Sequence, residues 1–388
     1  MTGPSQRTLE LRILGLLCIF ILCGILVAGL WPFHAPINAV TWLTNANGLR
    51  FGDDGTVVTF EPFRTSGSAD GAPCSLEIWL RPRLAEDSST ILAFFTPQHP
   101  VQFSLNQSMA NLALQKESRN AHLPENDASL VFVDEVFRQR MLVLMAVSSG
   151  EQGTKIYVDG SLAKTAPQFR LSTKDFAGQL VLGTSPVVND TWSGELRGLA
   201  IYQRELTAAQ VSRHFATWTT NGRPDIGQNE GLLALYLFDE LQGRVVHDRS
   251  GSGIDLTIPE RYMILREKFL EPPWKEFHRH WGYWKNVLIN IGGFIPLGFF
   301  FCAYLTLAKH VRRPALLTVI FGAATSLTIE VLQAYLPTRD SGMTDLMTNT
   351  LGAAIGVMLY RWKAPLFAQT LGALGNWLPG SRAPNLSC

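Results

Sequence analysis

The sequence predicts a multidomain protein, an all-β sandwich inserted into a four-helix transmembrane α bundle. Three observations predict it. Four stretches of the 388-residue chain are strongly apolar, and three of them hold no charged residue over at least a bilayer's width. The long segment between the first and second stretches instead shows short alternating or apolar runs, broken by Gly, Asp, Asn and Pro at strand and hairpin intervals. Charged residues make up only 17% of the chain and the net charge is +1, so nothing in the composition suggests a nucleic-acid partner, which would demand a basic face.

Residues 1–12 form a short N-terminus and 13–31 the first transmembrane helix. Its uncharged run is longer than the apolar core of a signal peptide, and no small-x-small site follows before Trp31-Pro32, so it reads as an uncleaved anchor. The β-sandwich occupies 35–260, and 261–286 form an aromatic and basic linker. Helices follow at 287–308, 315–336 and 345–361, then a tail at 362–388. Arg7 and Arg12, then Lys309, Arg312 and Arg313, then Arg361 and Lys363 all fall on one side if both termini are cytoplasmic. The positive-inside rule then places the sandwich outside.

Strands are expected at Gly55 to Phe60, Ser75 to Arg81, Thr90 to Phe95, Leu130 to Val133, Gln139 to Ser148, Lys155 to Val158, Gly178 to Leu182 and Leu196 to Tyr202. Asp159-Gly160 is a hairpin signal, because this dipeptide tolerates the positive φ of a tight turn. Cys74 stands alone in the domain, so its core has to hold it without an internal disulfide; Cys18, Cys23 and Cys302 lie in spans and Cys388 at the end. Asp53-Asp54, Asp70, Asn189-Asp190 and Asp248 read as turn residues rather than metal ligands. No cofactor is expected, and calcium in the sandwich is the less favoured option. Glu61 and Glu77 suit a glycosidase by residue type only, since hydrolysis needs two carboxyls at fixed separation.

In the linker, Trp274, Phe277, Trp281, Tyr283 and Trp284 alternate with cations in the manner of an interfacial collar. Pro272-Pro273 is expected to break any helix there. His278 and His280, at i and i+2, would diverge on a helix rather than share a metal.

Each of the last three spans carries a polar stripe at helical spacing. Asn286, Asn290 and Gly293 form the first; Ser326, Glu330 and Gln333 the second; Asp345, Asn349, Gly352 and Gly356 the third. Ionisable groups within a bilayer cost at least ~2.5 kcal/mol each and mark sites by default. An outward-opening pocket is therefore expected from Asn286, Asn290, Glu330, Gln333, Arg339, Asp340, Asp345 and Asn349. Thr344 or Asp340 is expected to cap the last helix and Arg339 to neutralise a carboxylate. If the pocket is catalytic, Glu330 and Asp345 are the candidates, Glu330 as general acid or base and Asp345 with Arg339 positioning a phosphate or amide. The competing reading makes the stripes interhelical packing and hydrogen-bonding positions, with Gly352 and Gly356 allowing close backbone approach.

Cys74-Ser-Leu-Glu-Ile-Trp-Leu-Arg-Pro, Lys155-Ile-Tyr-Val-Asp-Gly and Gly194-Glu-Leu-Arg-Gly-Leu-Ala-Ile-Tyr-Gln-Arg-Glu-Leu-Thr resemble successive signatures of the laminin-G-like, concanavalin A-like lectin family. Leu233 to Glu240, followed by Val245 to Gly253, resembles that family's opening strand and turn but stands at the domain's end. Either the domain is permuted, or a terminal strand closes the sheet beside the first.

Asn286 to Gly298, Glu330-Val-Leu-Gln and Arg339 to Gly356 resemble the VanZ-like membrane family, whose founding association is with low-level teicoplanin resistance. Together the resemblances imply a multi-pass protein of a bacterial inner membrane, with lipids and an envelope glycan or wall polymer as partners. Two alternatives stay open, an enzyme acting on a lipid-linked substrate in the membrane pocket and a structural scaffold.

Overall fold

A computed structural model describes residues 4–64, 71–117, 129–267, 269–277, 279, 281–308 and 311–377, with side chains between residues 8 and 363. The Arg7 side chain, Asp70, His278, His280, Lys309 and Cys388 lie outside the described residues. The chain folds as two units, Ala35–Glu267 and a helical unit of Met1–His34 with Lys268–Cys388.

After α1 (Pro4–Leu30), the first of these units runs β1 (Val40–Trp42), β2 (Leu49–Phe51), β3 (Val57–Thr59), β4 (Cys74–Pro82), β5 (Ser88–Phe95), β6 (Phe103–Ser108), β7 (Asn111–Lys116), β8 (Leu130–Val133), β9 (Val143–Gly150), β10 (Gly153–Val158), β11 (Ser161–Ala166), β12 (Gln179–Leu182), β13 (Gly194–Tyr202), α2 (Ala208–Asn221), β14 (Leu232–Tyr236), β15 (Val245–Val246) and β16 (Leu256–Thr257). One antiparallel sheet has the order β1-β2-β13-β4-β9-β10-β11, with β14 also on β13; the other runs β15-β16-β3-β12-β5-β6-β7-β8. This is the jelly-roll sandwich that the alternating pattern predicts.

All eight expected strands form, with ends shifted by a few residues. The largest shift is at β9, which begins at Val143 rather than Gln139. Asp159 and Gly160 both take positive φ, 48° and 76°, at the turn joining β10 to β11, as the hairpin dipeptide requires. The terminal strand β14 joins the sheet on the same edge of β13 as β2. Residues 194–196 of β13 pair with β2, and residues 199–202 of the same strand pair with β14. Asn38 Nδ2 then donates to Pro259 O at 2.9 Å and the Tyr262 amide to Pro36 O at 2.9 Å, so the ends of the module are stitched together. The unit continues through Glu267, with Tyr262 Oη on Thr184 Oγ1 at 2.8 Å.

Strand alternation sorts β4 into two faces. Leu76, Ile78 and Leu80 enter the core between the sheets, with Phe51, Phe94, Phe103 and Trp192 also buried in it. Ser75, Glu77, Trp79 and Arg81 therefore lie on the opposite face. Helix α2 covers part of that face, packing Val211 and Trp218 over Leu144, Ala146 and Tyr202. Its start is a Thr207/Gln210 capping box and its end the left-handed Gly222. The strand pattern alone does not predict this helix.

Beneath α2 lies a sealed polar network. His214 Nδ1 is 2.8 Å from Glu77 Oε1, and its Nε2 is 2.8 Å from Glu230 Oε2. Tyr202 Oη donates to Glu77 Oε2 at 2.8 Å, Trp218 Nε1 approaches the same oxygen at 3.3 Å, and Arg213 pairs with Glu230. Burial pushes the His214 imidazole down, but the hydrogen bond and charge of Glu77 and the charge of Glu230 outweigh it and hold it above its ordinary value. Such a raised group stabilises the fold fully below about pH 6.5, and that contribution is lost as pH rises through the raised value. Thermal melting of residues 35–267 should therefore fall as pH climbs from about 6.5, and His214→Gln should flatten that slope. An unchanged slope in the variant would place the pH dependence elsewhere.

In the helical unit, α3 (Pro273–Glu276), α4 (Trp281–Ala308), α5 (Pro314–Gln333) and α6 (Met343–Trp377) follow. Among the described residues three helices are long and apolar enough to cross a bilayer, Thr8–Leu30, Trp281–Ala308 and Pro314–Gln333. Helix α6, which holds the expected fourth span at 345–361, does not meet that measure. Pro273 does not simply break the linker; it opens the one-turn α3 at its first position, where a missing amide costs nothing.

Candidate functional site

The polar stripes divide into two kinds when the helices pack. Gly298, Gly352 and Gly356 lie where α4 and α6 cross, and a Cβ at each would run into opposing backbone at Ala353, Ile291 and Ile295 respectively. Small residues at such a crossing allow close approach without a ligand. Asn349 Nδ2 donates to Ser326 Oγ at 3.0 Å between α6 and α5. Gln333 Nε2 donates to Gly29 O at 2.8 Å, which ties α5 to the end of α1. Arg339 makes a further tie, donating through Nε to Trp31 O at 3.0 Å. It does not pair with either carboxylate, so the expected neutralisation is replaced by a backbone contact. Gln333, Arg339 and Asn349 thus hold helices together.

The remaining stripe residues converge on the turn before α6. Glu330, 1% exposed, accepts from the Gly342 amide through Oε2 at 2.8 Å and from the Ser341 side chain. The Thr344 amide donates to Glu276 Oε2 at 3.0 Å, and the Met343 amide to Glu271 O at 3.0 Å. The first amides of α6 are therefore satisfied by Glu276 and by a backbone carbonyl rather than by the expected Thr344 or Asp340. A carboxylate from a distant segment does here what a local cap usually does. A Cβ at Gly342 would meet the Glu276 carboxylate, so a side chain there would require that carboxylate to move.

Above the turn opens a cleft of about 300 Å³ lined by Glu271, Lys275, Glu276, Asn286, Asp340 and Asp345, among others. Asn290 hydrogen-bonds the Asp345 side chain. Of the expected pocket residues, Asn286, Asp340 and Asp345 line the cleft, Asn290 braces one of them, and Glu330 sits beneath, supporting the turn. Glu276 is the residue that sequence reasoning missed. It lies in a stretch rich in aromatic and basic residues, and only its position just after Pro272-Pro273 in a nascent helix marks it. Four lining carboxylates against one lysine make the cleft acidic. Its field disfavours a phosphate and favours hydroxyl, amide or ammonium groups.

Glu77 is fully buried under α2, and Glu61 lies on the exposed segment after β3. Asp54 takes φ 61°, Asp190 accepts from Thr90 Oγ1 at 2.8 Å, and Asp248 collects the amides of Leu235, Ser250 and Ser252. Asp54 and Asp248 therefore serve turns, while Asp190 is tied to β5 through Thr90.

The VanZ/LLP1 family profile matches residues 233–367, and that of the concanavalin A-like lectin/glucanases superfamily matches 51–212. The chain joins a VanZ-like domain to a concanavalin A-like one. The VanZ-like match begins inside the sandwich, at β14, and runs through the cleft into α6. No curated protein matches the sequence significantly. Among solved structures, a candidate carbohydrate-binding protein from Bacteroides ovatus is 12% identical, with 57% of this chain and 58% of that one aligned and a TM-score of 0.38. The binding domain of botulinum neurotoxin DC, solved with rat synaptotagmin II, is 14% identical over 48% of this chain and 46% of that one, with a TM-score of 0.37. A heptameric SAP-like pentraxin from Limulus polyphemus is 15% identical over 50% and 89%, with a TM-score of 0.34.

In the VanZ-like domain, Glu330→Ala should leave the Gly342 amide without its acceptor and lower stability in detergent by about 1–3 kcal/mol. Glu330→Gln keeps an acceptor oxygen and should cost less. Equal melting temperatures for wild type and Glu330→Ala would remove Glu330 from its supporting role.

Proposed function

We propose that this VanZ-like chain is an envelope membrane protein that holds a glycan-binding sandwich outside the cytoplasmic membrane. One observation carries the reading. The sandwich is a closed module whose ends meet, through Asn38 on Pro259 and Tyr262 on Pro36, and it is inserted between two helices that are each apolar enough to span a bilayer. Two consecutive spans return the chain to its starting side, so the whole insert lies on one side. The basic Arg312 and Arg313 beyond the second span favour the opposite, cytoplasmic side for their own loop. Within the concanavalin A-like superfamily, binding is favoured over hydrolysis, because Glu77 is sealed in its network with His214 and Tyr202 and has no access to a glycosidic bond.

A second reading, chemistry on a lipid-linked substrate in the VanZ-like cleft, is favoured by the shared lining of Glu276 and Asp345. Asp345 rather than Glu330 is then the acid–base candidate, since Glu330 is occupied beneath the turn. Modulation of glycopeptide susceptibility belongs with either reading, through altered access to the wall.

Reporter fusions after Glu267, Arg312, Ser341 and Arg361 should read outside, inside, outside and inside. The intact protein in nonionic detergent should retain members of a panel of neutral and acidic envelope polysaccharides. A cytoplasmic signal after Glu267, or no retention across the panel, would overturn the glycan reading. Asp345→Asn with normal abundance and an unchanged cellular phenotype would remove the enzymatic one.

A further inference from the structure

The sheet face that α2 leaves uncovered carries a row of guanidinium groups set by strand register. Arg50 on β2 pairs with Glu195 on β13, and Glu195 pairs with Arg81 on β4. On the outer side of β2, Thr41 of β1 continues the row. Residues directly opposite on neighbouring strands point to the same face, so the three side chains stand side by side. Arg83, just past β4, and Arg140, in the loop before β9, complete one cleft of about 590 Å³.

Glu195 explains part of this row. It lies low in the cleft with its side chain only 8% exposed, and it accepts from Arg81 at 2.7 Å, Arg197 at 3.0 Å and Arg50 at 3.2 Å. Burial pushes its carboxyl up, but the hydrogen bonds from Arg81, Arg197 and Arg50 outweigh this and hold it below its ordinary value. Arg50 and Arg81 reach it through Nη2 alone, so each fork is oriented by Glu195 while keeping further donors.

One carboxylate does not account for the others. Among the described residues, the Arg83 side chain has Asp53 at 3.9 Å as its partner, with both side chains well exposed, and the Arg140 side chain makes no hydrogen bond or ion pair. The four lining arginines face a single lining carboxylate, leaving a strongly positive cleft. The lining also lacks a ring on which a neutral sugar could stack, because its one aromatic residue, Phe51, is 1% exposed.

We infer that the Arg50, Arg81, Arg83 and Arg140 cleft binds the anionic groups of an acidic polysaccharide, carboxylate or phosphate, by guanidinium forks. This rests on the glycan-binding reading of the sandwich and names its ligand class. Planar guanidinium groups match both anions in bidentate geometry, and a preoriented row suits charges repeated along a polymer.

The test uses the full-length protein in nonionic detergent with four probes: polygalacturonate, poly(glycerol phosphate), neutral dextran and phosphatidylglycerol vesicles. At least one of the two acidic polymers should bind, and binding should weaken as salt shortens the range of the charges. Arg83→Glu/Arg140→Glu, which leaves the Glu195 pairs intact, should weaken it at least tenfold while the melting temperature stays at the wild-type value. Arg83→Gln/Arg140→Gln should give a smaller loss in the same direction. Retention of dextran alone would overturn the cleft's ligand class and leave the glycan reading standing. Acidic-polymer binding undiminished in the well-folded reversal variant would move the site elsewhere on the sandwich. Binding of vesicles but of neither polymer would assign the row to a lipid surface and overturn the inference.

Discussion

A carboxylate drawn among apolar helices has to find donors inside the protein, because hydrocarbon offers none. Glu330 finds them in the Gly342 amide and the Ser341 side chain. That pairing fixes the turn ahead of α6, and the fixed turn presents the next amides to Glu271 and Glu276. Asp345, one turn further along, is then placed at the cleft and braced by Asn290. The same constraint acts on the amide nitrogens of Asn349 and Gln333, which meet Ser326 and a helix-end carbonyl.

The sandwich solves a related problem in water. Its exposed face is divided by what covers it. Under α2, Glu77, His214 and Glu230 are enclosed and satisfy one another, which turns charge into internal structure. Beyond α2, Arg50, Glu195 and Arg81 use the same strand face but remain open. A helix laid over one half of a sheet therefore separates a structural charge network from a surface able to meet a ligand. Both sets contain a buried carboxylate, and accessibility alone distinguishes their roles.

Much of the fold was legible. Apolar length marked α1, α4 and α5, since a bilayer span requires uninterrupted hydrophobic residues. Period-two or apolar runs with Asp and Gly between them marked β3, β4, β5, β8, β9, β10, β12 and β13, and Asp159-Gly160 marked the β10–β11 hairpin. Short strands such as β1, β2, β15 and β16 were not legible, because two or three residues carry no period and form only where a neighbouring strand offers its edge. Helix α2 escaped notice because its apolar positions, Val211 and Trp218, are interrupted by His214, which is buried only through the carboxylates that meet it.

The candidate site was legible in kind and not in arrangement. Sequence by itself determined that Glu330, Asn349, Gln333 and Asp345 turn away from lipid, because helical spacing and the cost of burying polar groups depend on the chain alone. It likewise determined that β4 and β13 bear Arg81 and Glu195 on the face opposite their core residues, since alternation is local. Only the tertiary structure decided that Glu276, more than fifty residues before Glu330 in the chain, joins the same turn, and that Arg339 leaves the carboxylates for Trp31. It alone decided that Arg50, Glu195 and Arg81 share a row, because strand register brings together residues far apart in sequence. Hydrogen-bond partners across such separations are chosen by packing, and packing is a property of the whole fold.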